Sequence, residues 1–314
     1  MTQIPGEIYA LLAAMTWAMA LVLFKYSGER VSPLALNLFK CVVGTLMLIV
    51  TLVGARFIEP VVGDQSIAVL LARPQRDVWI LVASGVIGIA MADTLFFYAL
   101  NRIGVGILAI VDCLYSPFVI LFAFVWLHED LVAAHLKGLG LILAGVLLSS
   151  RHDPPANRTR RDLVIGVIVG GFAVSSMAFG IVIAKNTLEG FPLIWAAAIR
   201  LAAGTVALAL VSPFLPECKG MWAVFKPSAA WKTAIPGALL GTYLAYVFWV
   251  AGFKLADASI NAILNQTTVI FSIILATVIV REPLTKRKMV SVGLAVLGVA
   301  VVLFDKIGDL LGWG

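Results

Sequence analysis

Residues 17–45 read WAMALVLFKYSGERVSPLALNLFKCVVGT, and residues 177–205 read MAFGIVIAKNTLEGFPLIWAAAIRLAAGT. A shift of 160 lays Ala20 on Gly180, Lys25 on Lys185, Lys40 on Arg200, Gly44 on Gly204 and Thr45 on Thr205. A second register, 153, continues the correspondence: Gly88 with Gly241, Ala109 with Ala262, Asp112 with Asn265, Glu129 with Glu282, Gly140 with Gly293 and Gly145 with Gly298. Agreement at so many charged and glycine positions marks an internal duplication.

Apolar runs flank these stretches on both sides. Five fall at 9–24, 34–53, 78–100, 105–127 and 136–149, then a polar stretch, RHDPPANRTRRD, covers 151–162. Five more fall at 163–184, 193–211, 231–253, 258–280 and 289–304. Each is long enough, or nearly so, to cross a hydrocarbon core as a helix, which takes about 20 residues. With 61% hydrophobic and 13% charged residues the chain cannot cover a water-facing surface, so a soluble domain is excluded. The expected fold is therefore all-α, a polytopic membrane protein of ten transmembrane helices. Its organisation is a first five-helix repeat at 1–151, a polar linker at 152–162 and a second five-helix repeat at 163–314. Because five is odd, the second copy enters the membrane from the opposite face. Inverted repeats of this kind enclose the alternately exposed site of many secondary transporters.

Other chemistries lack their residues. The net charge of +6 is spread over short loops, as in ordinary membrane proteins, and predicts no nucleic-acid partner. Cys41, Cys113 and Cys218 have neither disulfide nor zinc spacing. His128 and Glu129 resemble the start of a zinc-protease motif, but the second histidine would fall at Val132. There is no GxxxxGK loop for ATP. The sequence thus predicts no enzyme, no metal site and no cofactor. The first apolar segment, from Ile8, has no basic leader and no small-residue cleavage pattern, and reads as a retained helix.

Ionisable side chains inside a span are costly and mark function by default. Asp93 precedes Arg102 by nine residues and Asp112 follows it by ten, so a tight hairpin at Arg102 sets both about 14 Å below one membrane face. Lys40, seven residues after Pro33, starts from the same face at a depth of about 10 Å. Lys40, Asp93 and Asp112 are therefore expected to meet, binding a proton or a charged solute, or else holding helices together as a buried ion pair. In the second repeat Tyr246 replaces Asp93 and Asn265 replaces Asp112, which leaves Arg200 without a carboxylate partner of its own. Arg200 either accepts an anion through its planar fork or snorkels to the interface. Asn265 and Gln266 are assigned to the cavity, against helix–helix hydrogen bonding. Trp17, Tyr115, Tyr246 and Trp249 are candidate cavity aromatics, against simple packing. Glu129 is read as a structural loop contact. The close glycines Gly166 and Gly170, and Gly237 and Gly241, are read as packing.

Several motifs taken together resemble the EamA-like family of the drug/metabolite transporter superfamily, and they cover nearly the whole chain. They are WAMALVLFK (17–25), with its Trp and Lys eight apart, Pro33 followed by Lys40, NRIGVG (101–106), Pro117, HED (128–130) and GLILAGVLL (140–148). The second copy departs from the pattern with Met177 for the Trp, FKLADAS (253–259) for NRIGVG, REPL (281–284) for HEDL, and no proline opposite Pro117. The resemblance implies ten helices in a multi-pass cell-membrane protein. It implies a secondary transporter that exports or exchanges small metabolites, such as amino acids or related polar and amphipathic solutes. The partners it implies are that solute, membrane lipids and protons, and a homodimer is compatible with it. A flippase for lipids or lipid-linked solutes and a non-transporting membrane scaffold are the alternatives. Orientation stays open: fourteen Lys and Arg outside or flanking the spans lie after odd-numbered spans and seven on the other side. This count favours termini outside, whereas the family resemblance implies termini in the cytoplasm.

Overall fold

The computed structural model describes residues 5–28, 31–54, 65–130, 132–149, 159–214, 220–278 and 286–310, which are helical with short turns and contain no strand. The first half holds α1 (Gly6–Gly28), α2 (Pro33–Val53), a short α3 (Ile67–Leu71), α4 (Gln75–Gly85), α5 (Ala92–Asp112), α6 (Tyr115–Phe122) and α7 (Ala133–Ser149). The second holds α8 (Arg160–Val182), a short α9 (Lys185–Gly190), α10 (Leu193–Val211), α11 (Trp231–Ala238), α12 (Tyr246–Leu255), α13 (Ala258–Asn265), α14 (Thr268–Val278) and α15 (Lys286–Leu310). Local chemistry sets several starts. Ser32 caps α2 by accepting from the Ala35 N–H, and Pro33 occupies the first turn, where its missing donor is not needed. Thr159 caps α8, accepting from the Asp162 N–H while donating to its carboxylate.

Six helices among the described residues are long and apolar enough to cross a membrane: Gly6–Phe24, Leu34–Val53, Gln75–Leu100, Arg160–Gly190, Leu193–Phe214 and Trp231–Leu255. Three shorter apolar helices accompany them, at Tyr115–Leu127, Ala133–Gly145 and Met289–Phe304. Large apolar side chains such as Ile168, Phe172, Leu210 and Phe304 cover the outer surface. The solvent such a surface fits is lipid.

The two copies share irregularities as well as helices. A π-helical turn at Val86–Met91 joins α4 to α5, and another at Leu239–Ala245 joins α11 to α12, with starts 153 residues apart. The expected spans 105–127 and 258–280 are each divided, at 113–114 and at 266–267, again 153 apart. At the second break Thr267 and Thr268 donate to the carbonyls of Leu264 and Asn265, a side-chain competition that loosens a helix. The break expected between 100 and 105 is a bend inside α5. A Cβ on Gly170 would lie 3.4 Å from Ala99 Cβ and 3.3 Å from Val111 Cγ1. Those two atoms are thus at most about 7 Å apart, whereas twelve residues of straight helix cover about 18 Å.

Packing runs mainly between copies. α8 lies antiparallel along the α4–α5 arm: a Cβ on Gly180 would sit 2.8 Å from Gly88 Cα, and one on Gly166 would sit 2.2 Å from Ile103 Cγ2. α1 lies along α11 and α12 in the same manner, with Gly241 against Ala20 and Gly237 against Phe24. α7 and α15 are repeat counterparts that cross each other antiparallel and reciprocally. A Cβ on Gly298 would meet the Gly138 carbonyl at 2.7 Å and one on Gly145 the Ser291 carbonyl at 2.6 Å. Thr45 and Thr205, also counterparts, share a hydrogen bond of 3.1 Å between α2 and α10. The glycines therefore act as packing positions, because only a missing side chain allows such approach.

Glu129 bonds across the copies. Its carboxylate accepts from the Ala258 N–H (2.7 Å), the Ser259 N–H (3.1 Å) and the Ser259 hydroxyl (2.7 Å), capping the N-terminus of α13. Its counterpart Glu282 lies outside the described residues. Glu129→Ala removes a charged cap and is expected to cost about 2 kcal/mol, read as a lower melting temperature of the detergent-solubilised protein. Glu129→Gln should retain about half of the stabilisation, because the amide keeps only one acceptor oxygen.

Candidate functional site

The polar interior is drawn from six helices of both copies. On α2, Lys40 Nζ lies 4.0 Å from Asp93 Oδ2 at the start of α5, with side chains 17% and 16% exposed. The same ammonium stands 5.2 Å from the centre of the Trp17 ring on α1. Asn37, one turn before Lys40, is buried, and its amide lies within hydrogen-bonding range of the Asp93 carboxylate. Asp93 sits just after the π-helical turn Val86–Met91, and Tyr246 just after Leu239–Ala245. An extra residue in a helical turn re-aims every side chain that follows it.

Arg200, on α10, is 1% exposed and is the largest fully buried side chain among the described residues. Snorkelling to the interface, one of the two readings of its sequence position, is therefore overturned. α10 is packed on both sides, and the side chain turns inward instead of along the helix towards the surface. Its Nε and Nη1 have no hydrogen-bond partner. Its Cζ lies 5.3 Å from the centre of the Trp249 ring. Tyr246 stacks on Trp249 at 5.9 Å and Phe253 meets Trp249 edge-on at 4.9 Å. The guanidinium charge reaches the buried hydroxyls of Tyr246, which has no partner, and of Tyr115, which has the Trp249 side chain within hydrogen-bonding range. Cys41 lies in electrostatic range of Lys40, Asp93 and Tyr246, so the pair and the arginine belong to one cluster.

The other candidates fall around this centre. The expected triad is a pair plus one: Lys40 and Asp93 meet, while Asp112 forms no ion pair among the described residues and interacts with Tyr115 and Cys113. The bend in α5 brings 99 beside 111 and leaves Asp93 about two turns further along the arm. Asn265 donates to the Asn261 carbonyl of its own helix, 2.9 Å away. Gln266 is buried at the break between α13 and α14. Trp17, Tyr115, Tyr246 and Trp249 all reach the cluster. Tyr243, another interior aromatic, instead bonds Thr51 at 2.8 Å.

Sequence reasoning missed two participants. Asn37 stands three residues before Lys40, so helical spacing puts it on the same face. Lys254 carries no such signal. Its ammonium donates to three carbonyls, Leu188 (2.7 Å), Glu189 (2.6 Å) and Phe191 (2.8 Å), closing the end of α9 against α12. Next to it Lys185 pairs with Glu189.

Comparison with known proteins agrees with this architecture. The model of the EamA-like transporter family matches residues 4–151 and again 164–304. The chain is 20% identical to an uncharacterized transporter of Archaeoglobus fulgidus, over 91% of this chain and 94% of that one. It is 25% identical to Protein PecM of Dickeya dadantii, over 68% of this chain and 70% of the relative. It is 28% identical to the uncharacterized transporter YvbV of Bacillus subtilis, over 68% and 69% respectively. A crystal structure superposes with a TM-score of 0.76 at 19% identity, covering 94% of this chain and 95% of that one, which is a likeness of fold.

Proposed function

The chain belongs to the EamA-like transporter family, and from that premise we propose that it is a secondary transporter that exports or exchanges small metabolites by alternating access. It does so as ten spans arranged in two inverted five-helix units, 1–151 and 163–314, in the cell membrane. The observation that carries this reading is the interior polar cluster of the partly exposed Lys40 and Asp93 with the fully buried Arg200. It draws α2 and α5 from the first half of the chain and α10 from the second, on the helix pair that the Thr45–Thr205 hydrogen bond joins. A scaffold has no use for charges at that position, since apolar residues of equal volume would stabilise it as well or better. Two related halves that rock about such an interface expose it to each face in turn.

Protons couple the cycle through Asp93 and Asp112, the carboxylates nearest the cluster. The test is pH-gradient-driven flux in proteoliposomes. The solute is chosen by screening amino acids, nucleosides, sugars and lipophilic cations for those that raise the melting temperature. Asp93→Asn combined with Asp112→Asn should abolish the flux; unchanged flux would overturn the coupling. If no solute both binds and moves, the transporter assignment falls.

A further inference from the structure

Resting on the transporter reading, we infer that the centre is a binding site for a small organic monoanion, a carboxylate attached to an apolar, preferably aromatic body. Arg200 takes the carboxylate, and Tyr115 and Tyr246 donate the remaining hydrogen bonds.

The inference starts from charge. Two cations of the central cluster, Lys40 and Arg200, stand at matching positions of the two copies. One, Lys40, has Asp93 at 4.0 Å. The other, Arg200, has no carboxylate paired with it among the described residues, although it is 1% exposed. A lysine in that position could shed its proton, but a guanidinium does not deprotonate in proteins. The charge is therefore permanent, and in a low-dielectric interior it attracts a counter-ion from outside the chain.

Hydrogen bonding narrows the class. Nε and Nη1 of Arg200 are buried and lack hydrogen-bond partners, so each of the two bidentate edges, which share Nη2, has an open donor. The hydroxyls of Tyr115 and Tyr246 are buried in the field of the same guanidinium; that of Tyr246 is unpartnered, and that of Tyr115, beside the Trp249 indole N–H, still has its own proton to donate. Unmade hydrogen bonds of buried donors are unfavourable, and here they converge from three helices, α6, α10 and α12. A planar two-oxygen acid satisfies them together, because it accepts from a guanidinium edge and still has lone pairs for hydroxyls. Asp112, which shares the neighbourhood of Tyr115, does not reach the guanidinium as an ion pair.

The remaining walls define the body of the ligand. Trp249 lies against the guanidinium, Tyr246 stacks on Trp249, and Trp17 stands over Lys40. Ring faces accept apolar and aromatic groups, whereas sugar and other heavily hydroxylated bodies need polar partners. Valence follows from the same census: Lys40 is held by Asp93, and Arg200 has no ion-pair partner among the described residues. With a proton on Asp112 a monoanion balances the site, and a dianion such as a phosphate monoester leaves a charge uncompensated.

The test is equilibrium binding to the full-length protein in lipid nanodiscs, by tryptophan fluorescence and melting temperature. The probes are benzoate, indole-3-acetate, the neutral isostere benzamide and benzylamine. Saturable binding is expected for the two carboxylates, at least tenfold tighter than for benzamide, with none for benzylamine. Arg200→Lys should weaken benzoate at least tenfold, since a point charge cannot replace the fork. Tyr246→Phe should weaken it three- to tenfold without altering the fold. Arg200→Gln should lose carboxylate binding while the ligand-free protein melts no lower than wild type, because no internal partner is orphaned. The inference is overturned if carboxylates bind equally well to Arg200→Lys and Tyr246→Phe, if benzamide or benzylamine binds as tightly as benzoate, or if Arg200→Gln fails to fold. Failure of the transporter reading looks different. Carboxylate binding through Arg200 without vectorial flux leaves the anion site standing and removes the carrier. Flux of neutral or cationic solutes that is indifferent to Arg200→Lys keeps the carrier and removes the anion site.

Discussion

Gly85→Ala is expected to leave little folded protein. A Cβ at this position would stand 2.1 Å from the carbonyl oxygen of Arg200 and 2.8 Å from its carbonyl carbon. The obstacle is backbone, which cannot rotate away as a side chain can, so α4 and α10 must separate. The hydroxyl of Ser84 donates to the Gly180 carbonyl, and a Cβ on Gly204 would meet the Gly85 carbonyl at 2.9 Å, so the separation also breaks neighbouring contacts. Overpacking of this severity costs about 3 kcal/mol or more. The measurement is the melting temperature and monodispersity of the purified variant, and a wild-type profile would mean that the two helices do not cross at Gly85. Gly293→Ala is the matched control: a Cβ there meets nothing within 4 Å. It should be neutral or stabilise the helix by up to about 1 kcal/mol. The functional consequence follows from the same contact. The backbone against which Gly85 packs is that of the residue holding the buried guanidinium, so any Gly85 variant that does fold is expected to lose solute binding before it loses helicity.

The second large effect concerns Lys40 and Asp93. Asp93→Asn leaves the Lys40 ammonium without its carboxylate, and Lys40→Met leaves the carboxylate without its ammonium. Each single change should cost ~3 kcal/mol, the low end for a broken interior pair, because both side chains keep some exposure and the contact is long. The double variant Lys40→Met with Asp93→Asn should recover most of that stability, since no lone charge remains. Coupling between the two, read from a double-mutant cycle of melting temperatures, is the quantity predicted to be large. Transport should not recover in the double variant. A pair that only held α2 to α5 would regain activity with stability, so the divergence of the two readouts separates a working pair from a structural one.

Much of the architecture was legible because it is periodic. Duplication shows in Lys40 and Arg200, Gly145 and Gly298, and Glu129 and Glu282, and the helical irregularities of the two halves fall in matching register. The four aromatics Trp17, Tyr115, Tyr246 and Trp249 were found as interior rings on apolar helices, and they do reach the polar cluster. Other features were not legible. The pairing of Lys40 with Asp93 but not with Asp112 depends on a bend in α5 and a π-helical turn, and neither has a dependable sequence signal. The three carbonyls closed by Lys254 come from a segment more than sixty residues away.

By itself the amino-acid sequence determined the solvent and the repeat. A chain with so few charges has to live in lipid, and a pattern that returns at fixed offsets has to build the same unit twice. Only the tertiary structure decided which charges are balanced. Arg200 could have reached the surface or the centre from the same place on its helix; in the packed protein it is buried beside Trp249, within reach of the Tyr115 and Tyr246 hydroxyls. Whether a buried charge finds a partner is set by distances of a few ångströms between segments far apart in the chain, and those distances exist only once the helices have packed.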